Sequence, residues 1–458
     1  MLSNKQWSEE QWGSCELGDR RRTLRALELG ACMARLPNSS LPQQTEDWKG
    51  LKGAYRLLQS DAVSHENLQV NHWASTQATV QQCVQQGQTV LLVQDTTLLD
   101  YSRHPQTGGL GQIGADGGHG LVVHSCLAIS GEDATDKSSI PILGMVNQRA
   151  WARLPKEEQD PEAEKESEKW IKAVQSVECG EPGHLVSVGD RESDVFSYLR
   201  KSQEQGIDCL IRVCQNRVVT AVEGAQERVH LKDWARTLEP MTSRKISLRS
   251  RGSSRAREVV LSIAWHECTL MPPQNSSDQG AGISGWCIRC WEASPAEGDP
   301  SPLEWILFCT IPVTSAVMAR RVLGWYERRW MIEEYHKCLK SGCRIESSQL
   351  QDGDSLQRLL GFLGLIAVRL LQLRMWSQHH PGGRANKVIP ALEVRIVAKH
   401  LGISDGQLTI RRFYRAVASW GGFIGRRSDG EPGWQTLWRG WTRLQDMAWA
   451  LKLTRYRP

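Results

Sequence analysis

The sequence predicts an α/β protein: a mixed sheet with helices packed on it, interrupted by a β-rich insertion and flanked by helical regions. Three observations predict this. Short apolar runs alternate with amphipathic segments between Val90 and Val213, in the order three strands, helix, strand, helix, strand. From about Val218 to Thr310 the pattern changes to short strands and turns, with a Gly/Ser/Pro-rich stretch over 272–285. After Ser315 apolar residues recur mainly at helical spacing to the end of the chain.

Taken in order, 12–37 reads as one helical element, with Leu24, Leu27, Ala31 and Ala34 on a common face. Arg20, Arg21, Arg22 and Arg25 near its start oppose the helix dipole, so a phosphate partner would compensate them; solvation is the alternative. Further helices are predicted over 48–58 and 64–85. Strands are predicted over 90–95, 121–129 and 140–146, then a helix over 164–177. A strand over 185–190, a helix over 194–205 and a strand over 209–213 follow.

A length of 458 residues exceeds one ordinary core and predicts several domains. With 40% hydrophobic and 23% charged residues the composition is that of a soluble globular protein. No run of 18 apolar residues and no apolar leader is read, so neither a membrane span nor a signal peptide is expected. Thirteen cysteines, an odd number spread along the chain, suit free thiols in a reducing cytoplasm. Net charge is only +5, but it is segregated: 384–458 holds 14 Lys/Arg against 5 Asp/Glu, and 241–265 holds 6 against one. By contrast, 151–178 is acid-rich, 8 against 5. Such segregation is expected where some surfaces meet a polyanion, although solvated helices produce it too.

Two predicted strands end in a carboxylate, Asp95 and Asp190. Strand ends fix the backbone while exposing the side chain, and open α/β sheets gather their sites there. Two carboxylates brought together repel each other by a few kcal/mol at an effective dielectric of about 20. A hard divalent cation, Mg²⁺ or Mn²⁺, removes that cost. The third element is 323–340, read as one helix. Tyr326, Arg329, Glu333, Lys337 and Lys340 are spaced 3, 4, 4 and 3, which places a hydroxyl, three cations and a carboxylate on one face. Cations around one glutamate suit a phosphate backbone beside a metal; an exposed helix with ion pairs has the same pattern.

The segment from Tyr326 through Arg329 and Glu333 to Lys340 resembles the Y-R-E-K signature of the insertion-sequence-four family of bacterial cut-and-paste transposases, with the full spacing Y-x-x-R-x-x-x-E-x-x-x-x-x-x-K. Gln94-Asp95-Thr96-Thr97 resembles the family's first-aspartate strand, and Gly189-Asp190-Arg191-Glu192-Ser193-Asp194 its second. Trp12 with Leu17 to Arg22 resembles the N-terminal DNA-binding element; Trp420-Gly-Gly-Phe423 and Trp434 to Trp441 resemble the C-terminal dimerisation region. The resemblance implies a ribonuclease H-like catalytic core over 71–378 with the β-rich insertion at 218–312. It also implies a helical DNA-end-binding domain over 1–70 and a helical dimerisation or DNA-contact region over 379–458.

It further implies that Asp95, Asp190 and Glu333 hold Mg²⁺, with Mn²⁺ able to substitute, for two-metal phosphoryl transfer. The implied order is nicking at a transposon end, a hairpin, its hydrolysis, and joining to target DNA. Expected DNA contacts are Tyr326, Arg329, Lys337, Lys340, Arg212, Arg21 and Arg22. Trp305 would stack on a flipped base, or be an ordinary strand tryptophan. Arg191 and Asp194 would orient the site or form a structural pair. Expected partners are the double-stranded inverted-repeat ends, target DNA and a second copy in a synaptic homodimer, on the nucleoid of a bacterial cytoplasm, with no nucleotide cofactor and no membrane. Trp420, Trp434, Trp438 and Trp441 serve either that dimer or a local helical core. A nuclease that cuts without joining, and a silent DNA-binding relative, are the rival readings. Gly109-Leu-Gly111-Gln-Ile-Gly114 matches a dinucleotide fingerprint but stands between strands, so it reads as a loop. A lone Cys287-x-x-Cys290 would point its thiols to opposite faces of a strand and is not read as a zinc site.

Overall fold

The computed structural model describes residues 3–45, 47–114, 116–132, 141–158, 164–178, 183–221, 228–248, 257–274, 281–294, 302–426 and 429–455. They form two compact units, one of 1–79, 96–163 and 332–458, the other of 80–95 and 164–331.

The first unit opens with α1 (Asn4–Trp12), α2 (Arg20–Arg35), α3 (Leu41–Gln44), α4 (Trp48–Leu58) and the start of α5 (Val70–Gln85). The single helix expected over 12–37 is therefore two, broken where Gly18 adopts φ +73° and Asp19 caps α2. Trp12 is fully buried; its indole N–H donates to the Leu68 carbonyl at 3.0 Å. Its ring meets Trp7 edge-on at 5.3 Å and Phe362 at 5.0 Å. Gly30 of α2 is the surface it lies on: a Cβ there would come within 2.1 Å of the ring.

The same unit holds the second half of β1 (Val90–Asp100), then β2 (Gly111–Ile113), β3 (Gly118–Ser130) and β4 (Ile142–Trp151), with β2 and β4 antiparallel to β3. The dinucleotide-like glycines are not simply a loop, a correction to the expectation: Gly111 opens β2, which pairs with β3, and only Gly109 and Gly114 flank it with positive φ. The strand expected over 140–146 begins at Ile142, and Ile140 lies outside the described residues.

The second unit begins with the first half of β1 and continues through α6 (Glu168–Gln175), β5 (Leu185–Gly189), α7 (Phe196–Glu204) and β6 (Asp208–Arg212). Strands β1, β5 and β6 are parallel neighbours. Next come β7 (Val218–Ala221), β8 (Arg228–His230), α8 (Leu231–Thr237), β9 (Thr242–Leu248), β10 (Arg257–Leu270), β11 (Ile283–Glu292) and β12 (Glu304–Cys309). This is the β-rich insertion. It is no separate sheet: β12 pairs antiparallel with β6, so its ladder continues that of the parallel strands. Part of the glycine-rich stretch, 275–280, lies outside the described residues. Cys287 and Cys290 are both buried on β11, and every described cysteine is free. The basic run over 241–265 is largely ion-paired where described: Arg244 with Glu327, Lys245 with Glu258 and Arg257 with Glu292; Arg249, Arg251 and Arg255 lie outside the described residues. α9 (Ala316–Glu327) ends this unit's regular structure.

From α10 (Trp330–Lys337), which crosses the boundary, the chain returns to the first unit. α11 (Gly353–His379), α12 (Ala391–His400), α13 (Ile410–Trp420) and α14 (Trp434–Arg455) follow. One correction concerns α11. Its stretch Gly353–Gln378 is long and apolar enough to cross a membrane, yet 83% of that window is buried inside the protein, as in a core helix. It packs on α2, α4 and β4, and Arg358 donates to the carbonyls of Val63 at 2.7 Å and Leu58 at 3.0 Å. The C-terminal tryptophans largely form a local core: Trp434 and Trp438 are buried and stacked 6.0 Å apart, and Trp441 meets Phe413 at 6.3 Å. Glycines at the α13–α14 crossing bring the backbones together; a Cβ on Gly440 would lie 1.7 Å from the Val417 carbonyl.

A buried histidine makes stability depend on pH. Burial, with a smaller contribution from Lys340, lowers the pKa of His336 to about 3. The unfolded histidine binds its proton below about pH 6.5, while the folded one stays neutral. The stability contributed is thus complete above pH ~6.5 and is lost as pH falls towards 3, at about 1.4 kcal/mol per unit. Urea midpoints measured between pH 7 and 4 are expected to fall less steeply in His336→Gln than in the wild type.

Candidate active site

Strand pairing brings the two aspartates together. Val93 of β1 is the register partner of Val188 of β5. Two residues further along each strand stand Asp95 and Asp190, opposite each other and, by the two-residue period, on one face. Parallel neighbours lie about 4.8 Å apart, so this register puts the two aspartates on neighbouring segments of backbone. Only Asp190 stands at a strand end. Asp95 lies within β1, which runs on to Asp100, a correction to the expected end at 95. The polar residues Thr96 and Thr97 continue the ladder because β-branched side chains suit extended backbone. Asp190 caps a short 3-10 turn, its Oδ1 accepting the Glu192 N–H at 2.9 Å.

Cations surround this pair. The Arg329 guanidinium lies 3.7 Å from the Asp95 carboxylate, with both side chains mostly buried. Burial lowers the pKa of Arg212, with Arg191 and Arg329 acting the same way, and Tyr326 partly offsets this. Arg212 also donates to the Glu304 carbonyl at 3.2 Å. Tyr326 is 5% exposed, and burial first, then the Asp190 charge, raises its pKa against the pull of Arg329 and Arg212. The hydroxyl therefore keeps its proton and can donate. The Trp305 ring meets Tyr326 edge-on at 5.3 Å and is half-buried, so part of it remains open for stacking.

The polar stripe expected on one helix is not one helix. α9 stops at Glu327, the chain turns through Arg328 and Arg329, and α10 starts at Trp330. The Arg329 N–H bonds back to the Tyr326 carbonyl at 3.0 Å, a three-residue step. Tyr326 thus sits buried on α9, Arg329 in the turn and Glu333 in the first turn of α10. Lys340 lies on a π-helical turn, Cys338–Gly342. The sequence spacing is met, but an unbroken 3.6-residue helix does not produce it. Glu333, Lys337 and Lys340 belong to the first unit. There Lys337 is exposed, 3.7 Å from Glu334, and Lys340 donates to the Leu98 carbonyl at 2.5 Å and pairs with Glu346 at 3.4 Å. Among the described residues no three His, Cys, Asp or Glu side chains are grouped to hold a metal ion.

Four further residues, Asp194, Arg191, Arg21 and Arg22, have surroundings of their own. Asp194 accepts from the backbone N–H of Cys214 and Gln215 at 2.8 and 2.7 Å and from Arg217 at 2.7 Å, so it pins the chain after β6. Arg191 is exposed. On α2, Arg21 pairs with Asp19 at 2.8 Å and Arg22 donates to the Leu17 carbonyl at 3.1 Å. The expected conflict of these arginines with the helix dipole is therefore met within the chain, by the capping Asp19 carboxylate. The sequence reading missed the partners of Glu334, Arg374 and Trp434, because they lie 40 and 100 residues away from it.

Two family models match parts of this chain. Residues 4–63 match the family model for the transposase DNA-binding domain, and 161–370 match that for the transposase DDE domain. The first match contains Arg21 and Arg22; the second contains Asp190, Arg212, Trp305, Tyr326, Arg329 and Glu333, and Asp95 precedes it. Among solved structures, a piggyBac transposase synaptic complex with hairpin DNA, seen by cryo-electron microscopy, is similar at 11% identity and a TM-score of 0.32. The likeness covers 83% of this chain and 57% of that one, so the chain spans less than two thirds of its length. By its two family matches, this chain is similar over 4–63 to transposase DNA-binding domains and over 161–370 to transposase DDE domains, whose core is ribonuclease H-like.

Proposed function

We propose that this protein is a metal-dependent DNA transposase of the insertion-sequence-four type. It cuts the inverted-repeat ends of its own element and joins them to target DNA. The observation that carries the reading is the register of β1 and β5, which sets Asp95 opposite Asp190 with Arg329 beside them. The donor set fits Mg²⁺, which takes one or two carboxylates and completes its shell with water and substrate phosphate. Asp95 and Asp190 would hold the ion, with Glu333 as third ligand. Bound there, it would supply charge neutralisation at the phosphoryl oxygens and an activated hydroxyl nucleophile, and Mn²⁺ would substitute.

The chain's own residues do the rest. Arg329, Arg212 and Arg191 offset the phosphate's charge, and the protonated Tyr326 hydroxyl donates to one of its oxygens. Trp305 offers a ring to an unpaired base, as a hairpin at the cut end would require. Arg21 and Arg22 on α2, with Lys337 and Lys340, follow the DNA backbone. A homodimer holding both ends is part of the reading, as is a location on the bacterial nucleoid. The test is cleavage by purified protein, in Mg²⁺, of the DNA flanking its own gene, resolved on denaturing gels. Nicked, hairpin and joined products are the expected result. Cutting without joining would show a nuclease, and binding without cutting in either Mg²⁺ or Mn²⁺ would show a silent DNA-binding protein.

A further inference from the structure

α10 has only eight residues and is bounded by the turn at Arg328–Arg329 and by the π-helical turn after Lys337. So short a helix has little stability of its own, and its position must come from its neighbours. Two buried anchors supply it. The Glu334 carboxylate is 18% exposed. Its Oε2 accepts from Arg374 Nη1 of α11 at 2.6 Å and from the Trp434 indole N–H of α14 at 2.9 Å. The Arg374 guanidinium also lies over the Trp434 ring, 4.5 Å from its centroid. Trp438, stacked on Trp434, closes against Gly342, where a Cβ would come within 2.4 Å of its indole nitrogen. One residue on, the fully buried Tyr335 hydroxyl accepts from Gln148 Nε2 at 2.7 Å. Gln148 is itself tied to Ser125, Gln69 and His65 at 3.0, 3.0 and 3.1 Å. Successive residues on a helix are 100° apart, so anchors at 334 and 335 fix both its rotation and its height.

We propose that Arg374 and Trp434 are positioning residues for the reaction. By clamping Glu334 they set the orientation of Glu333, the preceding residue, so the C-terminal helix acts on the chemistry within its own chain. This rests on the transposase reading above for the role of Glu333. The clamp itself does not depend on that reading. A supporting residue that orients a metal ligand typically governs about 10–100-fold in affinity or rate.

The test uses the full chain and three variants, Trp434→Phe, Glu334→Met and Glu334→Gln. Phenylalanine keeps the ring and removes the donor. Glutamine keeps an accepting oxygen, whereas methionine removes it. Backbone amide exchange over 332–340, read by mass spectrometry without metal or DNA, is expected to be at least about tenfold faster in Trp434→Phe and Glu334→Met. In the same variants single-turnover cleavage is expected to slow, and the Mg²⁺ concentration for half-maximal rate to rise, each by about tenfold or more, with end-DNA affinity unchanged. Glu334→Gln is expected to rescue both. Exchange at the wild-type rate in both variants would overturn the clamp. Faster exchange with an unchanged cleavage rate and Mg²⁺ dependence would reduce it to a structural contact. If Glu334→Met fails to fold, Trp434→Phe decides alone. A wild type that never cuts, yet shows the exchange difference, would overturn the transposase reading and leave the clamp standing.

Discussion

Asp190→Ala is expected to abolish DNA cutting, with a loss of at least about a thousandfold, while binding to the transposon end stays within about twofold. Asp95→Ala is expected to do the same. The reason lies in the register. Each aspartate sits two residues beyond a paired valine on adjacent parallel strands, so neither is replaceable by a neighbour of the other strand. Removing one leaves a single carboxylate, and hard-cation affinity depends on the number of charged oxygens supplied. Binding is expected to be spared because, in the proposed reading, end recognition rests on the N-terminal residues that match the transposase DNA-binding domain. Folding should survive as well. Asp190 caps only a three-residue turn, so its loss removes little stability, whereas Asp95 is mostly buried beside Arg329 at 3.7 Å and its loss costs more. Thermal melts, end-DNA shifts and single-turnover cleavage on the same preparations separate these effects.

Trp12→Ala is expected to destabilise the N-terminal helices by about 3–5 kcal/mol and to lower the melting temperature by several degrees. Trp12 has no exposed surface, donates to Leu68 and contacts Trp7 and Phe362. Alanine would leave a cavity beside Gly30, whose bare Cα is the floor on which the indole rests. It would also orphan the Leu68 carbonyl. Gly30→Ala approaches the same packing from the other side, because its methyl would fall 2.1 Å from the ring. Because Phe362 belongs to α11, the damage should reach that helix too. Differential scanning calorimetry, with end-DNA binding measured below the transition, reads both effects. An unchanged melting temperature in Trp12→Ala would contradict the packing described.

Much of this was legible in the sequence, and the failures have physical causes. The strands leading to Asp95 and Asp190 were found because apolar runs such as Leu185–Gly189 are buried on both faces, a signal that survives without context. The insertion was found by composition, but its ladder with β6 was not, since pairing of Leu307 with Arg212 joins residues far apart in sequence. The end of β1 was misread because burial fades after Gln94 while the backbone stays extended. The polar stripe from Tyr326 to Lys340 is the most instructive case. Its residues were identified by spacing, yet the helix that the spacing implied is broken at Arg328–Arg329. Backbone breaks without glycine or proline leave little trace in a sequence. Long-range anchors left none at all: only the folded chain shows Glu334 held by Arg374 and Trp434. Likewise, Asp19 was not seen as the partner of Arg21, although a carboxylate before a helix start is a recognisable cap.

The central claim is that Asp95 and Asp190, with Glu333, cut and rejoin DNA ends. The most direct measurement is single-turnover processing, in Mg²⁺, of a labelled duplex carrying the element's own end, by wild type and Asp190→Ala side by side. A nick followed by hairpin and joined products in the wild type, and binding without any of them in the variant, is the predicted result. Cutting by Asp190→Ala at the wild-type rate would contradict the account.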